Sequence, residues 1–319
     1  MELDVLFVGT AGSAPTAQRG LPATLVRRGG DRLLFDCGEG TQRQLVRSIG
    51  LIELSEVFIT HFHADHFLGL PGMLKTFSLR GREHPLTVYG PPGLRRLYTA
   101  LSPVVGRTTF PLALVELEPK AELRRDGYRI ATFAVDHGVR AFGYAVVEDD
   151  RPGRFDERHA RELGVEPGPD FGRLQRGEPV RGAAGEVRPE QVLGEPRRGR
   201  KVVITGDTAP SDMTRAVAFG ADLLVHEASF MEEDAARAAE TGHSTAGQAA
   251  ALAAESQVAL LALTHVSPRY GGGELREEAQ AVFPNTIVPR DFDRVDIPFP
   301  ERGGPVHVRA EGPGSEREP

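Results

Sequence analysis

A single cysteine, Cys37, stands in a chain of 319 residues. No intrachain disulfide can form, which suits a reducing, cytoplasmic compartment. No apolar run approaches the roughly 20 residues that a membrane span needs. The opening segment MELDVLFVGT has no basic leader and only a short apolar stretch, so it reads as a first strand and not as a signal peptide. Positive charge is also short: 38 Lys and Arg face 45 Asp and Glu, a net charge of −7. That argues against sequence-blind coating of DNA, but it leaves room for a nucleic acid held by a local basic patch. No internal repeat is visible. What is present, 40% hydrophobic and 26% charged residues, is the composition of a soluble globular protein of one large domain or two ordinary ones.

Short β-type runs alternate with helical patterns, which places the chain in the α/β class. Strands are expected over 3–9, 23–28 and 32–36, with Gly29 and Gly30 turning between the last two. A helix over 41–49, a buried strand over 57–60, a helix over 67–79, a strand over 86–90 and a helix over 93–101 follow. Residues 112–148 read as all-β. From 151 to 199 the apolar periodicity disappears and Gly, Pro, Arg and Glu dominate. Such a stretch is too long for an ordinary loop and is expected to be functional or mobile. Alternation resumes with strands over 201–207, 221–227 and 258–265 and helices over 211–219, 232–240, 244–255 and 273–282. A last strand is expected over 285–289. The pattern divides the chain into a first half (1–150), an insertion (151–199), a second half of the same domain (200–300) and a disordered tail (301–319).

The segment His61-Phe62-His63-Ala64-Asp65-His66 carries the most chemistry. Four possible metal ligands fall within six residues at the end of a buried strand. Imidazole with carboxylate suits Zn²⁺ or a similar transition metal. In extended backbone His61 and His63 point the same way and can grip one ion. A helix starting near Asp65 would turn Asp65 and His66 toward a second. Three further apolar runs each end in a possible ligand: His137, Asp207 and His265. Singly these are weak signals, since a strand-end Asp is more often a turn residue or cap. Together they can converge at one sheet edge, where seven ligands would serve two ions with Asp207 between them.

HFHADH resembles the HxHxDH motif of the metallo-β-lactamase superfamily, and the later ligands follow in that superfamily's order. The resemblance implies an αββα sandwich with an inserted flexible arm and two Zn²⁺ per chain at one edge of the sheets. His61, His63 and His137 would hold one zinc, Asp65, His66 and His265 the other, and Asp207 would bridge. Further segments are similar to the ribonuclease Z family of tRNA 3′-processing endonucleases: GTAGSAPT (9–16), LLFDCGEGTQ (33–42), HEASF (226–230), GHST (242–245), THVSPRY (264–270) and the Gly-Pro-containing insertion. The departures are Gly20 where the family often has Asn, Ser229 for Thr and Ala64 for Gly. None is a proposed ligand.

By that resemblance the chain removes 3′ trailers from precursor tRNA. A zinc-activated hydroxide attacks the phosphodiester in line and leaves a 3′-hydroxyl on the tRNA. Asp65 orients or deprotonates the attacking water. His243, polarised by Glu227, protonates the departing 3′ oxygen, and Arg269 suits a bidentate phosphate contact. A homodimer is implied, with no DNA or membrane partner. The competing readings are another superfamily hydrolase acting on a thioester, lactone or small phosphodiester, and an RNA-binding protein without catalysis. The arm and the His243/Glu227 pair argue against the first, and the full ligand set against the second. Cys37 reads as a buried structural thiol, His226 as structural, and His84, His159 and His307 as surface residues. Glycines 9, 12, 38 and 40 fit no Walker or dinucleotide pattern and read as tight turns near the site. Residues 151–200 hold eleven Arg against nine acids, the right sign for phosphate but a modest surplus.

Overall fold

A computed structural model describes residues 1–51 and 54–310. Two sheets face one another. The first has eight strands in the order 306–308, 294–296, 3–9, 23–28, 31–35, 56–58, 86–90, 112–116. The second has seven, in the order 286–287, 260–264, 223–227, 201–204, 142–148, 128–134, 122–125. Strand alternation builds the layers. In Leu3–Gly9, residues Leu3, Val5 and Phe7 enter the core between the sheets, whereas Leu6 and Val8 face outward. The helices Thr41–Ser48, Gly69–Leu79 and Leu94–Val105 cover that outer face. On the second sheet Leu223 and Val225 point between the sheets, while Leu224 meets the helices Ala246–Glu255 and Gly272–Val282. The period of two thus sends every second residue to a different core, and the result is the αββα sandwich.

The inter-sheet core is aromatic close to the histidine segment. Phe58 stacks between Phe35 and Tyr89, with ring centroids 5.0 and 4.9 Å away. The Tyr144 hydroxyl, from the opposite sheet, donates to the Ile59 carbonyl at 2.7 Å, and the Phe142 N–H donates to the Thr60 carbonyl at 3.0 Å. The backbone leading into His61 is therefore clamped by both sheets.

The insertion, which shows no apolar period in sequence, holds short regular elements: Glu157–Glu162, Pro169–Gln175 and Pro189–Val192 are helices, and Val180–Gly182 pairs with Gly185–Val187. Its own small core holds Ala160, Val165, Leu174, Val180, Val187 and Val192. These elements are too short for a hydrophobic period to register, yet six buried side chains suffice to organise them. The expected tail begins too early. Thr286–Ile287 is not the last strand, because Arg294–Asp296 and Val306–Val308 extend the first sheet. There His307, expected at the surface, is half-buried and bonded to Asp293 at 2.9 Å. The rest of the expected tail, 311–319, lies outside the described residues.

Candidate metal centre and active-site cleft

The seven ligands expected from sequence come together where the strands of both sheets end. Asp207 is the hub. One carboxylate oxygen lies 3.8 Å from His61 Nε2, 3.7 Å from His137 Nε2 and 3.2 Å from His265 Nε2, and the other lies 3.2 Å from His66 Nε2. His63 Nδ1 sits 3.2 Å from His137 Nε2, and an Asp65 carboxylate oxygen lies 3.2 Å from His265 Nε2. The donor atoms of His61, His63, His137 and Asp207 lie within 4.8 Å of one another, as do those of Asp65, His66 and His265.

Four of the histidines have their second ring nitrogen occupied. His61 Nδ1 meets the Thr60 hydroxyl at 3.0 Å, His66 Nδ1 meets Asp36 at 2.8 Å, His137 Nδ1 meets the Gly242 carbonyl at 2.8 Å, and His265 Nδ1 meets the Ser229 hydroxyl at 2.8 Å. With a proton on Nδ1 in each, the lone pair sits on Nε2 and faces the centre. His61 Nε2, His66 Nε2 and the Asp207 carboxylate oxygen facing His66 are buried without a hydrogen-bond partner. Polar atoms orphaned in this way are costly unless something binds them. The donor set, five imidazoles and two carboxylates around buried lone pairs, fits divalent transition-metal ions.

Electrostatics point the same way. Burial alone would raise the Asp207 pKa, but His265 and His66 beside it hold it well below the carboxylate range. Burial, then the neighbouring His66, lowers His61 to about 2, which keeps it a neutral imidazole. Burial would also lower His66, yet Asp207 and Asp36 outweigh it and raise its pKa well above normal. A field that draws a proton to His66 draws a cation to the same place.

The loops are braced around this centre. The Cys37 N–H donates to the His66 carbonyl at 2.8 Å, and the Ser13 N–H donates to Asp65 at 2.9 Å. A Cβ at Gly12 would lie 2.4 Å from His265 Nδ1, so the backbone must approach there without a side chain. Asp36 and His265 both adopt left-handed backbone, φ 59° and 56°. Such conformations are held at a cost of roughly 1–3 kcal/mol where the surroundings over-determine them. Cys37 is fully buried, and burial pushes its thiol pKa up.

Glu227 and His243 also meet. Glu227 continues the parity of Leu223 and Val225, so its carboxylate lies on the inter-sheet side, whereas His226 falls on the other face. His243 Nδ1 lies 2.7 Å from Glu227 Oε1. The Thr208 N–H and the Ser229 hydroxyl also donate to Glu227, at 2.8 and 2.6 Å. Burial opposes a charged His243, but Glu227 more than offsets it and the pKa is raised. His243 also falls within ligand reach of Asp207 and His265. Since Glu227 holds its Nδ1, its Nε2 is the atom free to act.

Beside these residues opens a cleft of about 320 Å³, lined by Ser13, Phe230, Arg237, His243, His265 and Arg269 among others. Arg269 is where the sequence placed a phosphate contact. The sequence singles out none of Arg237, Asp36 and Thr60, and marks Ser229 only as a departure from Thr. Asp36 carried a signal, a carboxylate at a strand end inside LLFDCGEG. Ser229 and Arg237 carried none; the Ser229 hydroxyl meets rings that lie 14 and 36 residues further along the chain.

A centre of this kind at the edge of an αββα sandwich defines a metallo-hydrolase of one superfamily, and the metallo-beta-lactamase superfamily profile matches residues 19–179. Similarity narrows the class further. The chain is 49% identical to the ribonuclease Z of Gemmatimonas aurantiaca over 94% of its own length and 98% of that protein, and 47% identical to that of Natronomonas pharaonis over 94% and 100%. The solved structure of human tRNase Z, short form, matches with a TM-score of 0.67 and 29% identity, over 92% of this chain and 99% of that one. The chain belongs to the ribonuclease Z family of the metallo-β-lactamase superfamily.

Proposed function

We propose that the chain is a zinc-dependent endoribonuclease that removes 3′ trailers from precursor tRNA and leaves a 3′-hydroxyl on the tRNA. One observation carries the reading: a seven-ligand centre stands beside a His243–Glu227 pair in a cleft that also holds Arg269. Two bound zinc ions would supply an activated water and stabilise charge developing on the phosphate. His61, His63 and His137 would hold one, Asp65, His66 and His265 the other, and Asp207 would serve both.

The chain's own groups do the rest. Asp65, fixed by the Ser13 N–H, orients the attacking water and takes its proton. Attack at phosphorus forms one P–O bond while the bond to the ribose 3′ oxygen breaks. That alkoxide is a poor leaving group, and His243 gives it the proton held on Nε2. Glu227 accepts from Nδ1–H, which orients the ring and favours the imidazolium form that also carries a proton on Nε2. Arg269 binds a non-bridging phosphate oxygen. The products are a tRNA with a 3′-hydroxyl and a trailer with a 5′-phosphate.

Residues 1–150 and 200–300 form one catalytic unit on this reading, and 151–199 is an arm that grips the tRNA body. The protein works as a cytoplasmic homodimer without DNA or membrane partners. No helix among the described residues is long and apolar enough to cross a membrane. The test is to incubate the metal-loaded protein with a 3′-extended tRNA precursor and map the ends. A cut at the 3′ boundary that leaves a 3′-hydroxyl is expected. Hydrolysis of thioesters or lactones in its place would reject the reading.

A further inference from the structure

Five of the arm's ten arginines pair with acids of the arm itself. Arg158 and Arg161 meet Glu162 and Glu157, Arg173 and Arg176 meet Glu178, and Arg188 meets Glu186. Unpaired cations gather elsewhere. A groove of about 690 Å³ runs between the segment 18–19, the helix Gly272–Val282, the strand Thr286–Ile287 and the chain around 307–310. Arg276, Arg290 and Arg309 line it and are exposed. Among the described residues none of their guanidinium groups meets an acid or a hydrogen-bond acceptor.

The carboxylate in the lining belongs to Asp293, and it is already saturated. It accepts from the Ala310 N–H at 2.8 Å, the Arg290 N–H at 3.0 Å and His307 Nε2 at 2.9 Å. It therefore ties down backbone and an imidazole, and among the described residues the three guanidinium groups are left uncompensated. Arg19, by contrast, turns inward to the Thr10 hydroxyl and the Pro289 carbonyl and forms part of the floor. In a chain of net charge −7 this groove is a local field of the opposite sign.

The groove and the active-site cleft share a wall. The first loop gives Gly12 and Ser13 to the cleft and Gln18 and Arg19 to the groove. The segment after His265 gives residues 267–269 to the cleft, and the start of the helix that follows gives 272–273 to the groove. The Gly12 N–H donates to the Val266 carbonyl at 3.0 Å, and the Val266 N–H donates to the Thr10 carbonyl at 3.0 Å, which pins the two loops together. A strand leaving the centre over this wall enters the groove.

Direction follows from His243, and here the argument rests on the nuclease reading above. His243 protonates the 3′ oxygen of the tRNA's last nucleotide, so that nucleotide lies on the His243 side, in the cleft with Arg237 and Arg269. The strand on the other side of the scissile phosphate leaves by a different path, and the adjoining basic path is the groove. We infer that the groove of Arg276, Arg290 and Arg309 binds the sugar–phosphate backbone of the single-stranded 3′ trailer. No phenylalanine or tyrosine lines it. Without an aromatic platform for stacking, recognition is by charge and tolerates any trailer sequence.

The test uses metal-loaded wild type and a variant carrying Arg276→Ala, Arg290→Ala and Arg309→Ala. Both are titrated by fluorescence anisotropy, across a salt series, with a short single-stranded RNA bearing a 5′-phosphate and separately with mature tRNA. An unchanged thermal midpoint checks the fold. Three lost phosphate contacts should flatten the slope of log K against log salt for the oligonucleotide by about 2, from roughly 0.7 per contact, while the slope for mature tRNA stays. An unaltered oligonucleotide slope overturns the proposal. An equal change for mature tRNA overturns it too, by giving the groove to the tRNA body. Precursor cleavage by the wild type runs in parallel. If the groove binds the oligonucleotide but no precursor is cut, the nuclease reading fails and the trailer assignment with it.

Discussion

The Ser229 hydroxyl lies 2.8 Å from His265 Nδ1 and donates a 2.6 Å hydrogen bond to Glu227. One oxygen thus joins a candidate metal ligand to the carboxylate that holds His243. Ser229→Ala leaves two buried polar groups without this partner, a loss of roughly 1–3 kcal/mol for each. Metal affinity, measured by chelator competition, should fall about 10–100-fold, the usual cost of removing an outer-shell partner. Ser229→Thr keeps the hydroxyl and should stay close to wild type. Equal affinity in the Ala variant would count against the link.

Asp207 touches both ligand groups. Asp207→Ala should lower bound metal in both sites together, read by elemental analysis as a fall from about two per chain, with loss of cleavage. Full metal and full activity would remove Asp207 from the centre.

His243→Ala should slow precursor cleavage by roughly 10²–10⁴-fold, the range for losing a general acid. A bis(nitrophenyl) phosphate, whose leaving group needs no proton, should suffer far less. The raised His243 pKa sets a sign. The acid form is present below that pKa, so cleavage falls as pH rises through it. Glu227→Gln removes the group that raises it and should move that fall to lower pH. Similar losses on both substrates would make His243 a positioning residue.

The arm joins the sandwich at the Arg151–Arg197 bridge, where Arg151 and Arg197 also bond Glu301. Removing 152–196 and closing the gap with a short glycine linker should leave the body folded, because the arm's core is its own. Affinity for tRNA should drop while hydrolysis of a small phosphodiester persists. Unchanged tRNA affinity would reduce the arm to an insertion without a binding role.

Glu148 is buried between Arg28, at 2.8 Å, and Arg200, at 2.7 Å. Arg200 in turn donates to the carbonyls of Ile297 and Met1. Burial would raise the Glu148 pKa, but the two arginines lower it. A depressed carboxylate stabilises the fold above its unfolded pKa, near 4.5, and that stability is lost as pH falls through the folded value. Glu148→Gln strands two buried cations and should cost about 3–5 kcal/mol at neutral pH, with a smaller acid-induced loss below pH 4.5 than in wild type. Chemical denaturation at both pH values measures it.

Much of this was legible in sequence because the signals were local. The strands Leu3–Gly9, Ala23–Arg28 and Leu86–Gly90 coincide with continuous β-type runs. The helix Thr41–Ser48 ends one residue short of its expected limit. The short elements of the arm and the strands at 294–296 and 306–308 were missed. Two or three residues carry no period, and such strands exist only because a neighbouring edge accepts their hydrogen bonds.

The sequence by itself determined which atoms could bind metal: four ligands within six residues, and His137, Asp207 and His265 each at the end of an apolar run. Ligand type is a property of the residue, and strand ends are written in local alternation. Only the tertiary structure decided what those residues face. Parity along Leu223–Glu227 sends Glu227 to His243 and turns His226 away. Pairing of the Ala228 N–H with the Thr264 carbonyl sets Ser229 beside His265, and among the described residues Arg276, Arg290 and Arg309 stay unpaired in one groove. These are relations between segments as much as 281 residues apart, such as Thr10 and Asp291. They come into being when hydrophobic burial brings the two sheets together, and no window of sequence contains them.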